Sequence, residues 1–463
     1  MNASDGGVAA SEYIISSPPS AHAPPIHSLP PELLGETFIL ALPTDEEFFE
    51  WSKMIDPQPR PRLTTPFTFC AVCSLWRSLG FSTPRLWQQV FVYVSRRTGE
   101  HQARRKALDL VQWINRARLL PLTLYILCSP GSVSFANDEG SLAPIVSVLN
   151  NYATRWKFLY LQSLRKPWNS SLSRLFHFDG WHSLRGMYLR KPFDLLRNKT
   201  IPWAQLTHLQ IWTCIAVPEA MSVFRMCSKL VELSVHASED SYLVMGADHI
   251  TMHDLVTFSV SSYRLSVILE GLSLPSLRNL RIVRLSTRDV PPLLNLFTRS
   301  SCTLDKLELG ELCFRPTHYL SLLSHESCNL LTSLRIRGAC GSSIDAEVLR
   351  RLTLHQNDSL CRRLKFLKID CCTESSSSAL LKMAESRIRP HAGQLPEEQL
   401  QHFRFCIEPH DNIEELDEFG KKNGMKYKRQ TLRCNLDLVS LWRFGSGFET
   451  MDPRSTLNDI RSL

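Results

Sequence analysis

The chain has 463 residues, which is too long for one ordinary globular core. Of these residues 43% are hydrophobic and 21% are charged. Several domains or an extended repeat array are therefore expected. Its net charge of +8 comes from 53 basic and 45 acidic residues, and the basic residues stand in short, dispersed clusters. A nucleic-acid interface needs basic residues concentrated on one surface, so this pattern argues against a nucleic-acid partner.

We expect residues 1–25 to form a disordered tail, since they are rich in serine, alanine and proline. This segment has neither the basic-then-apolar order of a secretory leader nor the arginine content of a transit peptide. The 14 cysteines show no framework of paired spacings. We therefore predict reduced cysteines and a location in the cytoplasm, the nucleus or both.

Residues 26–94 contain three helical patterns, each entered through a proline, and end in a strand-like run. Pro31 suits the first turn of a helix, where a missing N–H group costs nothing. The second and third patterns begin with a Thr-Pro pair, at residues 65–66 and 83–84, which is a capping residue followed by proline. The segment 43–65 between the first two patterns is acidic and broken by prolines, which is typical of a surface loop.

The blocks LPPELL, CAVCSLWRSL and TPRLW occur in this order within residues 26–94 and resemble an F-box. More narrowly, they look like the F-box-like proteins of mushroom-forming fungi. The resemblance implies a three-helix module that binds a Skp-type adaptor and, through it, the cullin scaffold of a ubiquitin ligase. The inserted loop 43–65 departs from the family, in which only a few residues stand at this point.

The resemblance also implies which residues face the adaptor. Ten residues match its three blocks: Leu29, Pro30, Leu33, Leu34, Phe38, Val72, Cys73, Trp76, Leu86 and Trp87. Some of these side chains are expected to pack the small core of the module instead. An apolar face left over after that packing is a physical reason to expect a partner.

A basic amphipathic segment at residues 95–120 is predicted to be a helix that links the F-box-like module to the rest of the chain. The uncharged stretch that follows, from Leu119 to Asn137, has an apolar core of only ten residues. A membrane span needs about 20 apolar residues. We therefore predict a buried strand here, and no membrane partner.

From residue 121 to residue 409 one pattern recurs, in which apolar residues occupy positions one, four and six. Its copies begin at Trp156, Leu184, Leu206, Leu230, Leu255, Leu277, Leu304, Leu331, Leu364 and Leu400, with a possible opening copy at Leu119-Leu122-Leu124. Successive copies are 22 to 36 residues apart, and most of these intervals fall in the range of leucine-rich repeats. Helix signals, such as proline near a helix start, stand between the copies.

This alternation of strand and helix predicts an α/β fold, in which the three-helix module is followed by an irregular leucine-rich repeat solenoid. Parallel strands would form one face of that solenoid and helices the other. An ordinary α/β domain with a parallel sheet is the alternative, although it does not explain the recurring register. Residues 410–463 are expected to form a capping helix and a loose tail.

No pattern predicts a catalytic, cofactor or metal site. Cys70 and Cys73 form a C-x-x-C pair that we expect to lie inside the second helix, and no second pair stands at zinc spacing. Packing as small apolar residues is therefore the favoured interpretation. No phosphate-binding glycine loop and no G-x-S-x-G motif occurs. We expect a protein that is not an enzyme and needs no cofactor.

The favoured hypothesis is a substrate receptor of an SCF-type ubiquitin ligase, with a client protein bound on the repeat surface. The variable positions around the strands would contact the client, and the candidates are Trp212, His236, Arg281, Arg335 and Arg337. Arginine and tryptophan are favoured at interface hot spots, and the arginines suggest an acidic or mixed-charge client. A repeat scaffold without ligase coupling is the second hypothesis, and an α/β enzyme is a distant third.

Overall fold

The computed structural model describes thirteen segments of the chain. They are residue 26 and residues 29–44, 65–94, 98–128, 139–163, 177–190, 200–238, 249–312, 314–338, 344–354, 358–372, 377–388 and 400–407. The predicted tail 1–25, most of the loop 43–65 and the predicted capping helix and tail 410–463 lie outside these segments. No helix among the described residues is long and apolar enough to cross a membrane.

Helices stand before the strands and between them. Three come first: α1 (Pro31–Leu40), α2 (Pro66–Cys70) and α3 (Ser74–Ser82). The others are α4 (Glu100–Arg116), α5 (Glu139–Asn151), α6 (Val217–Met226), α7 (Leu265–Glu270), α8 (Val290–Ser300), α9 (Pro316–Leu323), α10 (Ala346–Leu352) and α11 (Ser377–Ile388). Short 3-10 helices occur as well, one of them at Pro84–Trp87.

Twelve parallel strands form one sheet in the described part of the chain, and each lies beside the one before it in sequence. They are β1 (Gln89–Val94), β2 (Leu122–Cys128), β3 (Trp156–Ser163), β4 (Gly186–Arg190), β5 (His208–Ala216), β6 (Glu232–Ser238), β8 (Thr257–Ser262), β10 (Asn279–Val283), β11 (Lys306–Leu312), β12 (Ser333–Gly338), β13 (Phe366–Cys372) and β14 (His402–Ile407). The two-residue strands β7 (Ile250–Thr251) and β9 (Leu272–Ser273) pair separately. The predicted mixed α/β fold with parallel strands is confirmed.

The recurring apolar pattern lies in register across this sheet. The fourth position of each copy pairs with the fourth position of the next, through Leu159, Met187, Leu209, Leu233, Phe258, Leu280, Leu307, Leu334, Leu367 and Phe403. Burial alternates along the strands, as it does in β6, β8 and β10. Alternation of this kind places one set of side chains in the core with the helices and the other set on the opposite face.

The start of the sheet differs from the prediction in two ways. β1 was assigned to the module at residues 26–94, yet it pairs along its whole length with β2 and forms the first strand of the sheet. Helix α4, which lies in the segment predicted to link the module to the rest of the chain, therefore connects two neighbouring strands of the sheet. The opening copy is also displaced by two residues, because Leu124 pairs with Leu159 while Leu119 is exposed.

Three arginines repeat one arrangement along the array. Each donates a guanidinium hydrogen bond to a backbone carbonyl oxygen in the last turn of an earlier helix, from Arg155 to Ile114, from Arg299 to Leu269 and from Arg387 to Leu352. Each also donates to carbonyl oxygens that follow that helix, namely those of Leu120, of Leu272, and of Leu360 and Cys361. The last carbonyls of a helix have no partner within it and carry partial negative charge, so a cation is favoured there. Hydrogen bonds from arginine to backbone carbonyl oxygens thus connect neighbouring parts of the array at three points.

Candidate functional site

The first three helices pack around a few aromatic side chains. Leu34 and Phe38 point inward from α1 and are buried. The Phe38 ring stacks on Phe69, with ring centroids 4.5 Å apart, and lies 4.7 Å from the centroid of Trp76. These contacts join α1 to α2 and α3, on the far side of the inserted loop. The two matched blocks therefore meet in space.

Further contacts hold α2, α3 and the 3-10 helix together. The guanidinium Nε of Arg77 donates to the carbonyl oxygen of Cys70 at 2.9 Å, and the indole N–H of Trp87 donates to that of Gly80 at 2.9 Å. Gly80 lies so close to α2 that a Cβ atom there would come within 2.7 Å of the Cys70 sulfur. Arg85 forms an ion pair with Glu36 of α1.

The second helical pattern is interrupted, contrary to the prediction that Cys70 and Cys73 lie inside one helix. α2 ends at Cys70, and α3 begins after Cys73. The sulfur of Cys73 accepts a hydrogen bond from the backbone N–H of Trp76 at 3.5 Å. A side-chain acceptor at this position satisfies one of the unpaired N–H groups of a helix start. The C-x-x-C pair thus marks a helix junction.

The ten residues predicted to face the adaptor fall into three groups. Four are buried within the chain and cannot offer contact area, which corrects their assignment: Leu34, Phe38, Leu86 and Trp87. Two are partly exposed, Cys73 and Trp76. Four are exposed: Leu29, Pro30, Leu33 and Val72. The structure therefore divides the matched residues into an internal core and an outer apolar surface.

That outer surface is larger than the matched residues suggest. Of fifteen large hydrophobic side chains that are exposed in the described segments, eight lie between Ile26 and Phe81. Five of them are not among the residues predicted to face the adaptor: Ile26, Leu40, Phe67, Leu75 and Phe81. The helical repeat places Leu33 and Leu40 on one side of α1, away from Leu34 and Phe38. Within α3 only Gly80 is buried, although Leu75 and Phe81 are apolar.

These helices are attached firmly to the start of the sheet. The guanidinium of Arg116, at the end of α4, lies 4.7 Å from the ring centroid of Trp87, 4.9 Å from that of Phe81 and 5.4 Å from that of Phe67. The Trp113 ring stands at 78° to that of Trp87, with centroids 5.0 Å apart. Cation–π and edge-to-face contacts of this kind favour one fixed arrangement.

The face of the sheet opposite the core is the second candidate surface. One row of side chains, in register across the strands, runs along it: Phe91, Tyr125, Tyr160, Tyr188, Gln210, Ser234, Ser259, Arg281, Glu308, Arg335 and Lys368. The first four are aromatic, and their rings stack at 4.8, 4.5 and 4.0 Å between centroids. Tyr125 and Gln210 are buried within this row. Along the row the side chains change from aromatic, through polar, to charged.

At the charged end three arginines surround one glutamate. Glu308 of β11 lies 3.7 Å from Arg281, 3.4 Å from Arg335 and 3.5 Å from Arg337, measured between nitrogen and carboxylate oxygen. Arg281 and Arg335 flank it on the neighbouring strands β10 and β12. This cluster of four side chains carries a formal charge of +2. The position of Glu308 between the two arginines could have been predicted from the sequence, because residues 281, 308 and 335 are separated by equal intervals of 27 residues.

Trp212 and His236 lie on the same face, over β5 and β6. The indole N–H of Trp212 donates to the side-chain oxygen of Gln210 at 3.1 Å, and the Gln210 amide donates to Glu232 at 2.8 Å. Burial, with the nearby charge of Arg284, lowers the pKa of His236 from its ordinary value near 6.5 to about 4. All five side chains proposed for the client thus share one face, with His236 neutral at pH 7.

Most of the described cysteines are buried. Four are buried beside the strands: Cys227, Cys302, Cys328 and Cys361. Burial raises the pKa of Cys227 and of Cys361 to about 12, and raises that of Cys302 and Cys328 as well. Thiols in this state are protonated at neutral pH and act as small apolar residues. Among the described residues, no group of three or more His, Cys, Asp or Glu could hold a metal ion.

No protein-family model matches the chain, and no curated protein matches it. The candidate functional sites are therefore two surfaces, the exposed apolar side chains of the first three helices and the face of the sheet opposite the core.

Proposed function

We propose that the chain is a non-catalytic substrate receptor of an SCF-type ubiquitin ligase. In this proposal the exposed face of α1–α3 binds a Skp-type adaptor, and through it a cullin scaffold. The twelve-stranded sheet acts as a degenerate leucine-rich repeat array and holds a client protein. The receptor raises the effective concentration of the client near a ubiquitin-charged enzyme, so it needs no catalytic residue of its own.

The observation that carries the proposal is the concentration of exposed apolar side chains on α1–α3. Of the fifteen exposed large hydrophobic side chains in the described segments, five lie on these helices and three lie directly beside them, and Leu33 and Val72 are 55% and 58% exposed. Monomeric proteins rarely leave a contiguous apolar surface uncovered, and such a surface is typical of an interaction site. Packing around Phe38 explains why the buried apolar residues of the module are present, but it does not explain the exposed ones such as Leu33 and Val72.

Two features support the repeat array. The recurring apolar position pairs one to one across neighbouring strands, from Leu159 to Phe403, which a parallel sheet of unrelated segments would not require. Arg155, Arg299 and Arg387 each donate a hydrogen bond to a backbone carbonyl oxygen in the last turn of an earlier helix. Repeated units that contact only their neighbours are typical of solenoids, whose faces bind other proteins.

Affinity purification of the tagged full chain with a fungal Skp-type adaptor and cullin tests the proposal. The variant Leu33→Asp plus Val72→Asp places charge on the exposed apolar surface without disturbing the buried Phe38 core. Leu108→Asp plus Leu119→Asp is the matched control, because both leucines are exposed outside the module. Wild type and control should recover adaptor and cullin, and the first variant should recover neither.

The same experiment separates the rival interpretations. Recovery of the adaptor without the cullin would favour a repeat scaffold that lacks ligase coupling. If the folded wild type recovers no adaptor, or if the variant on Leu33 and Val72 recovers as much as wild type, the proposal is wrong.

A further inference from the structure

We propose that the junction of the first three helices with α4 binds an acidic segment of a partner protein, in which at least two carboxylates accompany an apolar side chain. The site consists of four side chains, Phe67, Arg77, Phe81 and Arg116, which we call the junction patch. The inference rests on the proposed function in one respect, namely that α1–α3 offer a protein-binding surface. It does not require the partner to be an adaptor or a client.

In the described part of the chain, the guanidinium of Arg116 contacts aromatic rings but no hydrogen-bond acceptor and no acidic side chain. Its central carbon lies 5.4 Å or less from the ring centroids of Phe67, Phe81 and Trp87. Cation–π contacts use the faces of the planar guanidinium, whereas its N–H groups lie in the plane. These N–H groups can therefore bind a carboxylate through two parallel hydrogen bonds.

Arg77 brings a second positive charge to the same place. It precedes Phe81 by four residues in α3, so the two side chains lie on one side of the helix. Its Nε donates to the carbonyl oxygen of Cys70 at 2.9 Å, and its guanidinium has no acidic partner within the described segments. Burial raises the pKa of Cys70, and the positive charges of Arg116 and Arg77 act in the opposite direction. Both guanidinium groups therefore lie close to this one thiol.

The neighbouring sequence supplies no acidic residue to this patch. Residues 65–88 and 110–128, which include α2, α3 and the second half of α4, contain no aspartate or glutamate. Glu36 of α1 is paired with Arg85. The patch thus has a formal charge of +2 that no ion pair among the described residues offsets, so its electrostatic complement is an acidic partner. A nucleic acid fits less well, because its binding requires a larger set of basic residues along a row of phosphates.

The rings of Phe67 and Phe81 supply the apolar part of the patch. They are 46% and 41% exposed, although each contacts the buried ring of Trp87. Aromatic residues and arginine are enriched together in protein interfaces. The contacts with Trp87 and Arg116 hold the two rings in place before a partner arrives, so little conformational entropy is lost on binding. An acidic segment that also carries an apolar side chain therefore matches both properties of the patch.

A phage-displayed library of random 12-residue peptides, selected on the immobilised full chain, tests this inference. Wild type should enrich peptides in which acidic residues accompany an apolar one. Arg77→Gln plus Arg116→Gln removes both positive charges and should lose this enrichment. Arg77→Lys plus Arg116→Lys keeps the charges without the planar guanidinium groups, and should retain a weaker acidic preference. Arg104→Gln plus Arg105→Gln, on the exposed side of α4, is the charge-matched control and should select as wild type does.

A fluorescein-labelled peptide with the enriched sequence then gives the affinities. Its Kd should rise about tenfold or more when Arg77 and Arg116 are both changed to glutamine, and should not change for the Arg104 and Arg105 control. For wild type, the Kd should rise about threefold or more between roughly 0.05 M and roughly 0.5 M sodium chloride, because salt screens the attraction. The salt measurement needs no substitution, so it tests the patch even if a variant fails to fold.

Four results would overturn the inference: no acidic enrichment by wild type, equal affinity of wild type and the glutamine variant, a Kd that does not respond to salt, or tighter binding of a 20-residue uridine RNA than of the peptide. Acidic enrichment only after Glu46, Glu47 and Glu50 are changed to glutamine would also overturn it, because the chain's own acidic segment would then be the occupant. Adaptor binding is measured separately on the same variants. Peptide selection without adaptor binding rejects the ligase proposal alone, and adaptor binding without peptide selection rejects this inference alone.

Discussion

The indole N–H group of Trp113 donates a hydrogen bond of 3.0 Å to the backbone carbonyl oxygen of Trp87. Trp113 belongs to α4, and Trp87 closes the 3-10 helix that follows α3. The bond therefore joins the 3-10 helix that follows α1–α3 to α4, the helix that connects β1 and β2. Together with Arg116 it makes the two candidate surfaces parts of one continuous structure.

Replacement of Trp113 by phenylalanine should weaken this junction. The change removes the hydrogen bond and keeps most of the ring contact, so the free energy of unfolding should fall by about 1 kcal/mol. Urea denaturation of the full chain measures it, with Leu119→Ala at an exposed position as the control. An unchanged denaturation midpoint in the Trp113 variant would show that the bond contributes nothing to stability.

Arg387→Met should destabilise the last described units strongly. Arg387 is fully buried, and its guanidinium donates to the carbonyl oxygens of Leu352, Leu360 and Cys361. Methionine fills similar space but leaves three buried acceptors without this donor, so a loss of about 3–5 kcal/mol is expected. Thermal unfolding measures the loss against Arg362→Met, an exposed position. A loss no greater than that of the control contradicts the role assigned to Arg387.

Glu308→Gln should destabilise the sheet in a salt-dependent way. The substitution removes the negative charge among Arg281, Arg335 and Arg337, which then repel one another from neighbouring strands. We expect a loss of about 1–2 kcal/mol at low ionic strength, since these groups are only partly exposed. Sodium chloride at roughly 0.5 M should restore part of it by screening the repulsion. A loss that does not respond to salt would indicate a packing effect instead.

His236 should make stability depend on pH between about 6.5 and about 4. The folded state lowers its pKa to about 4, so over this range the unfolded chain binds a proton that the folded chain does not. The free energy of unfolding therefore falls as the pH falls through this range. Above about pH 6.5 His236 is neutral in both states, and its contribution to stability no longer changes with pH. The stability difference between wild type and His236→Asn should shrink with acidification. A difference that stays constant from pH 7 to pH 4.5 would contradict the lowered pKa.

The strand register could be predicted from the sequence because the apolar spacing is repeated and the side-chain period of a strand is two. Leu280, Leu307 and Leu334 occupy equivalent positions in the sequence and pair in the structure. The first copy is misplaced because Leu119-Leu122-Leu124 has the right spacing, whereas the structure pairs Leu122 with Trp156 and Leu124 with Leu159. Since Leu122, Leu124 and Ile126 are all apolar and buried, spacing alone does not decide which of them holds the fourth position.

The division of the module between core and surface was less predictable. Leu33 and Leu34 are adjacent, identical in type and both matched by the F-box resemblance, yet one is exposed and the other buried. Periodicity identifies apolar positions, whereas the packing of Phe38 on Phe69 and Trp76 decides which of them face inward. The break before α3 was also missed, since the capping acceptor is the sulfur of Cys73 and not a hydroxyl or carboxylate group.

Calorimetric titration of the purified full chain with a purified fungal Skp-type adaptor is the most direct test of the central claim. Wild type and the Leu108→Asp plus Leu119→Asp control should bind one adaptor per chain with equal affinity. Leu33→Asp plus Val72→Asp should bind about 100-fold more weakly or not at all, because charge would be buried in the apolar interface. Equal binding by all three proteins, or no binding by folded wild type, would contradict the assignment of α1–α3 as the adaptor-binding surface.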